Sequence, residues 1–152
     1  TKTIVYDQKY NIDDLDSTEA TESLNKLDLT YSSTIGKDQE AFRTGSYSLK
    51  LGVEGETTTE SIIVNNISLE DNPVISFWLA SSNTDDVNIF IEGLRNDQVL
   101  VSKRIIHKPS NELVWDSIKY NCPNSNINRV RLTFKNLSNS IWVDDIKIDY
   151  YK

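Results

Sequence analysis

Apolar and polar residues alternate with a period of two along most of this chain. Ile75, Phe77 and Leu79 interleave with Ser76, Trp78 and Ala80; Val87, Ile89 and Ile91 interleave with Asn88, Phe90 and Glu92; Val130, Leu132 and Phe134 interleave with Arg131, Thr133 and Lys135. A strand sends successive side chains to opposite faces, so each run has one apolar face for a core and one mixed face. Strand-like runs cover residues 3–6, 26–33, 47–53, 60–65, 74–80, 87–92, 98–105, 114–120, 129–135 and 141–148. Turn-forming stretches separate them, among them Asn65-Asn66, residues 81–86, Arg95-Asn96-Asp97, Pro109-Ser110-Asn111 and Pro123-Asn124-Ser125-Asn126. About ten short strands with this punctuation predict an all-β fold, an antiparallel sandwich or a barrel. At most one short helix is expected, over residues 16–27: Asp16 has Glu19 three residues on, as in a capping box, and Ala20, Leu24 and Leu27 share a face. A polar loop is the other reading of that segment.

Two segments carry more than a plain strand needs. Gly45-Ser46-Tyr47-Ser48-Leu49-Lys50-Leu51 opens on a glycine, and Ile141-Trp142-Val143-Asp144-Asp145-Ile146-Lys147-Ile148 holds two adjacent carboxylates inside an apolar strand. An unpaired charge buried there would cost several kcal/mol, so the pair requires a structural cation or a set of backbone N–H donors at a sheet rim. The bland alternative is a solvated strand end with one carboxylate capping nearby amides.

Length and charge narrow the partners. The 152 residues suit a single domain spanning 1–152. Sixteen Lys and Arg against twenty-three Asp and Glu give a net charge of -7 with no basic block, so no nucleic-acid partner is expected. No apolar run approaches the ~20 residues of a membrane helix, so no membrane insertion is expected either. Cys122 has no second cysteine with which to form an intrachain disulfide and reads as a small buried residue; His107 alone cannot make a multi-histidine metal site. Neither a Glu-x-Asp-x-x-Glu strand signature nor a Gly-x-Ser-x-Gly elbow occurs, and the carboxylates fall mostly in turns, which argues against catalysis.

The mixed strand faces offer the candidate binding chemistry. A sugar stacks its C–H face on an aromatic ring while fixed planar groups read its hydroxyls. Trp78 and Phe90 would be the platforms, Asn88, Glu92 and Arg131 the readers, and Trp115 a further ring on the same surface. Alternatively the second face is covered, and Trp78, Phe90 and Trp115 are satellite core; Trp142 is assigned to packing. A rim site would draw on Tyr47, Arg95 and the loop at residues 81–86.

The glycine-led segment, the Ile75-Ser76-Phe77-Trp78-Leu79-Ala80 strand, the strand led by Trp115 and the terminal Ile141-Trp142-Val143-Asp144-Asp145-Ile146-Lys147-Ile148 resemble, over residues 42–149, the jelly-roll carbohydrate-binding modules. They also resemble the galactose-binding-like and MAM-like relatives of those modules. The resemblance implies a jelly roll with a structural calcium ion, held by Asp144 or Asp145, by backbone carbonyls around Thr44 and Ser46, and by Asp7 in the first segment. It implies a non-catalytic module at the cell surface or outside the cell. The partners would be a polysaccharide or cell-surface glycan and a catalytic domain in the same parent polypeptide. The alternative is an attachment or structural module of a phage tail or a bacterial surface protein, working through protein contacts.

Overall fold

A computed structural model describes residues 5–6, 27–69, 72–81, 85–109 and 114–151. The helix expected at 16–27 lies outside the described residues except for its last position, Leu27, which is a bend. Among the described residues are eleven strands: β1 (Val5–Tyr6), β2 (Leu29–Tyr31), β3 (Gly36–Asp38), β4 (Ser48–Leu51), β5 (Thr58–Val64), β6 (Asn72–Ser81), β7 (Val87–Arg95), β8 (Gln98–His107), β9 (Val114–Asn121), β10 (Arg129–Leu137) and β11 (Ile141–Tyr151). They form two sheets, one ordered β1-β9-β6-β11-β4-β3 and the other β2-β5-β10-β7-β8. The fold is an all-β sandwich.

The alternation read from the sequence is the alternation observed. Ile75, Phe77 and Leu79 of β6, Val87, Ile89 and Ile91 of β7, and Val130, Leu132 and Phe134 of β10 are buried in one core. Phe77 and Phe134 meet edge to face across the two sheets, centroids 6.1 Å apart at 83°. Leu49 and Leu51 of β4 and Ile141 and Val143 of β11 extend the same core, while Cys122 is buried as a free thiol.

Three features depart from the pattern. The short β1 pairs with β9 in parallel, Val5 opposite Val114 and Tyr6 opposite Trp115, whereas an antiparallel arrangement was expected throughout. β3, Gly-Lys-Asp, has no alternation to read and exists because it pairs with β4, Gly36 to Lys50 through Asp38 to Ser48. His107, beyond the strand run expected at 98–105, ends β8 with Nε2 3.2 Å from Asp116 Oδ2 on β9, so it ties an edge of one sheet to the other.

Candidate functional site

The outer faces of the two sheets are chemically different, and they divide the predicted binding residues between them. On the six-stranded sheet, Trp115, Trp142, Ala80 and Ala41 form a second buried cluster with Trp78 packed against it. Trp115 is 0% exposed, so it corrects the expectation of a stacking platform: its ring has no face left for a ligand. Trp78 is half-buried, and the Arg43 guanidinium lies 3.7 Å from its ring centroid. Trp78 stands on β6 and Phe90 on β7, and those consecutive strands belong to opposite sheets. The two aromatics therefore point away from each other through the sandwich and cannot share a binding surface.

The acid pair lies beside Trp78. Asp144 is opposite Trp78 in the β11–β6 register, and a bulge follows it, with Asp145 in the left-handed region at φ 50°. The bulge turns Asp145 so that both carboxylates meet the loop before β4. Asp144, wholly buried, accepts the Arg43 N–H (2.7 Å), the Thr44 N–H (3.2 Å) and the Asp145 N–H (2.8 Å). Asp145 takes the Arg43 guanidinium at 2.6 Å and the Thr44 hydroxyl. Burial first, and then the Asp145 charge, push the Asp144 carboxyl up to about 8, while the three amides pull it down.

The carboxylates of the expected calcium set are supplied here with donors from the protein itself. The backbone N–H groups of Arg43 and Thr44 donate to Asp144, and a guanidinium already occupies Asp145. A divalent cation would face the positive ends of those amides, so Thr44, Asp144 and Asp145 as placed do not fit a calcium cage. Ser46 is exposed, and Asp7 lies outside the described residues. No group of three or more His, Cys, Asp or Glu suited to a metal occurs among the described residues.

Four of the six predicted ligand residues do come together, on the outer face of the five-stranded sheet. Thr133 lies opposite Phe90, Arg131 opposite Glu92 and Lys135 opposite Asn88 across β10–β7, and Ser61 and Ile63 of β5 continue those rows. Across β7–β8 the partner of Phe90 is Arg104, with Ser102 beside Glu92 and Ile106 beside Asn88. Phe90 is thus the half-buried aromatic centre of an open face. Arg131 Nε and Nη2 both reach Glu92 Oε1 at 3.0 Å, fixing a planar ion pair beside the ring. Arg104 donates to Asn88 Oδ1 at 3.1 Å and holds that amide in place. The Arg104 guanidinium and the Lys135 ammonium lie 5.9 and 4.3 Å from the Phe90 centroid.

Sequence reading missed Arg104, Lys135 as a ring neighbour, and Arg43. The turn at Asn96-Asp97 gives the β7–β8 pairing, but counting back from Arg95 opposite Gln98 places Lys103 beside Phe90. An extra residue, Leu100, between the Leu94–Val99 and Gly93–Val101 pairs shifts the register so that Arg104 takes the position.

A rim depression of about 510 Å³ is lined by Thr34, Lys37, Asp38, Glu40, Lys50 and Ser140, among others. It has no open ring. Tyr47 is buried in the main core under Lys37, and Trp142 is buried with Nε1 donating to Asp38 at 2.6 Å.

No family model matches the chain, and no curated protein matches it by sequence. Solved structures do match in fold. The carbohydrate-binding module TmCBM61, solved with β-1,4-galactotriose, superposes with a TM-score of 0.60 at 9% identity, covering 89% of this chain and 98% of that one. The K2 cleaved adhesin domain of Lys-gingipain gives 0.57 at 13% identity, with 89% and 96% covered. The CBM22-1 xylan-binding domain of Paenibacillus barcinonensis Xyn10C gives 0.54 at 13%, with 82% and 83% covered. At these identities the likeness is one of architecture: this chain has the β-sandwich that carbohydrate-binding modules and an adhesin domain share.

Proposed function

We propose that the protein is a non-catalytic carbohydrate-binding module whose ligand lies across the outer face of the five-stranded sheet. The observation that carries this reading is the grouping of Asn88, Phe90, Glu92 and Arg131 on adjacent strands around one half-buried ring, flanked by the movable ends of Lys135 and Arg104. Phe90 supplies the apolar platform. The Glu92–Arg131 pair and the Asn88 amide supply hydrogen-bonding groups already held by neighbours, so little rotamer freedom is lost when a glycan binds. Rigid strands position all four, which suits recognition of a repeating polymer better than a mobile loop does.

The likeness in fold to modules solved with galactotriose or named for xylan supports a polysaccharide ligand, and with it an extracellular or cell-surface setting. The adhesin likeness supports the other reading, an attachment module working through protein contacts.

A glycan array followed by titration calorimetry tests the proposal. The expected result is binding of at least one polysaccharide by the wild type, a loss of roughly tenfold or more in Phe90→Ala, and no change in Val53→Ala, whose side chain is exposed by the rim depression. Binding unaffected by Phe90→Ala, or no binding at all together with a defined oligomer, would overturn it in favour of attachment.

A further inference from the structure

We infer that the glycan recognised by this face is acidic, bearing a carboxylate or a sulfate on the sugar that covers Phe90. The inference rests on the glycan-binding reading and adds a ligand class to it.

The chain is acidic overall, at -7, yet this face has the opposite sign. Arg131, Lys135 and Arg104 surround Phe90, and Glu92 is the one carboxylate set among them in the strand registers. Glu92 is committed to Arg131, both of whose contacting nitrogens sit 3.0 Å from the same oxygen. Arg104 and Lys135 have no carboxylate partner among the described residues; Arg104 is bonded to the neutral Asn88 amide. Arg129, at the end of β10, is balanced by Asp97 at 2.9 Å, so the surplus charge is concentrated at the ring.

Two cations without counter-charges approach one aromatic ring from different strands, β8 and β10. Contact with the ring quadrupole attracts each of them only weakly at an exposed site, and their mutual repulsion opposes the arrangement. An anion at the border of Phe90 resolves both problems. It pairs with the Arg104 fork, which matches the two oxygens of a carboxylate or sulfate, and with the Lys135 point charge. A sugar ring that carries its acid group on the rim can then rest on Phe90 while its hydroxyls face Glu92–Arg131 and Asn88. A neutral sugar would have to lie between the same cations without satisfying them.

The test compares matched polysaccharides by titration calorimetry: polygalacturonate against β-1,4-galactan, and glucuronoxylan against unsubstituted xylan, with polyglutamate as a non-sugar polyanion. The expected result is acidic glycan bound about tenfold or more tightly than its neutral partner, weakening several-fold between about 50 and 300 mM NaCl. Arg104→Gln and Lys135→Gln should each reduce acidic binding by roughly fivefold and neutral binding by less, so that the acidic-to-neutral ratio falls, whereas Phe90→Ala reduces both alike. Equal, salt-independent binding of both members of each pair would overturn the acidic preference while leaving the glycan reading intact. Polyglutamate bound as tightly as the uronan would overturn the preference for a sugar, and no polysaccharide bound at all would overturn both readings.

Discussion

The Arg43 guanidinium is sandwiched against the Trp78 indole, 3.7 Å from its centroid, while its Nη1 sits 2.6 Å from Asp145 Oδ2. One side chain thus covers the outer aromatic of the six-stranded sheet and offsets the charge of the acid pair in β11. The backbone amide of the same residue also bonds Asp144, so Arg43 closes the loop before β4 onto the final strand. Its removal should be costly: Arg43→Ala is expected to lower stability by about 2–4 kcal/mol, measured by urea unfolding, because the largely buried Asp145 carboxylate then loses the guanidinium that offsets it. Arg43→Lys should recover only part of this, since an ammonium cannot stack on the indole and reach the carboxylate together.

Chelation should leave the protein unchanged. With N–H donors around Asp144 and a guanidinium on Asp145, equal melting temperatures are expected in EDTA and in millimolar calcium. A ligand bound only by the native state would raise the temperature, so an increase of several degrees in calcium would show that the loop rearranges to admit the ion.

Asp144 makes stability depend on pH. Its carboxyl stands at about 8 in the folded chain against 3.8 as the ordinary value, so the native state holds a proton that the unfolded state has released across that interval. This group's contribution is complete below about 4 and is lost as the pH rises toward about 8, at no more than ~1.4 kcal/mol per pH unit. Asp144→Asn should remove that slope, visible as a smaller difference in unfolding free energy between pH 5 and 8.5 than in the wild type. Asp144→Ala should be the more damaging change, by about 2 kcal/mol, because three buried amides lose their acceptor.

Gly52 should tolerate no side chain. It sits at φ +79°, and a Cβ there would come within 2.3 Å of the Asn139 carbonyl oxygen, a backbone atom. Its N–H donates to Glu60, which is nearly fully buried near the start of β5 and also receives the Thr34 hydroxyl. Gly52→Ala is expected to cost about 2–3 kcal/mol in thermal or urea unfolding through left-handed strain and displacement of the Asn139 backbone.

Much of the sandwich was legible because its causes are local. A buried face and a wetted face impose period two on residues 74–80, 87–92 and 129–135, and turn residues end each run, so ten of the eleven strands among the described residues were visible. β3 was not, since three residues paired at a sheet edge owe their conformation to β4 and not to their own pattern. In the candidate site, the outward positions of Asn88, Phe90, Glu92 and Arg131 follow from strand phase and could be read, but not that Trp78 and Trp115, grouped with them, lie on the other sheet. Arg104 could not, because the bulge at Leu100 moves it by one place.

By itself, then, the sequence determined which residues of each strand are apolar-facing, that the fold is all-β, and that Asp144 and Asp145, if buried, needed a compensating partner. Strand phase says which side of its own sheet a residue takes; it does not say which sheet the strand joins. That was decided only in three dimensions, where the chain passes from one sheet to the other between β6 and β7 and sends Trp78 and Phe90 to opposite surfaces. The partner of the acid pair was decided there too. Arg43 lies about a hundred residues from Asp145 in a loop with no periodicity, and only the closure of that loop over the last strand brings the two charges together.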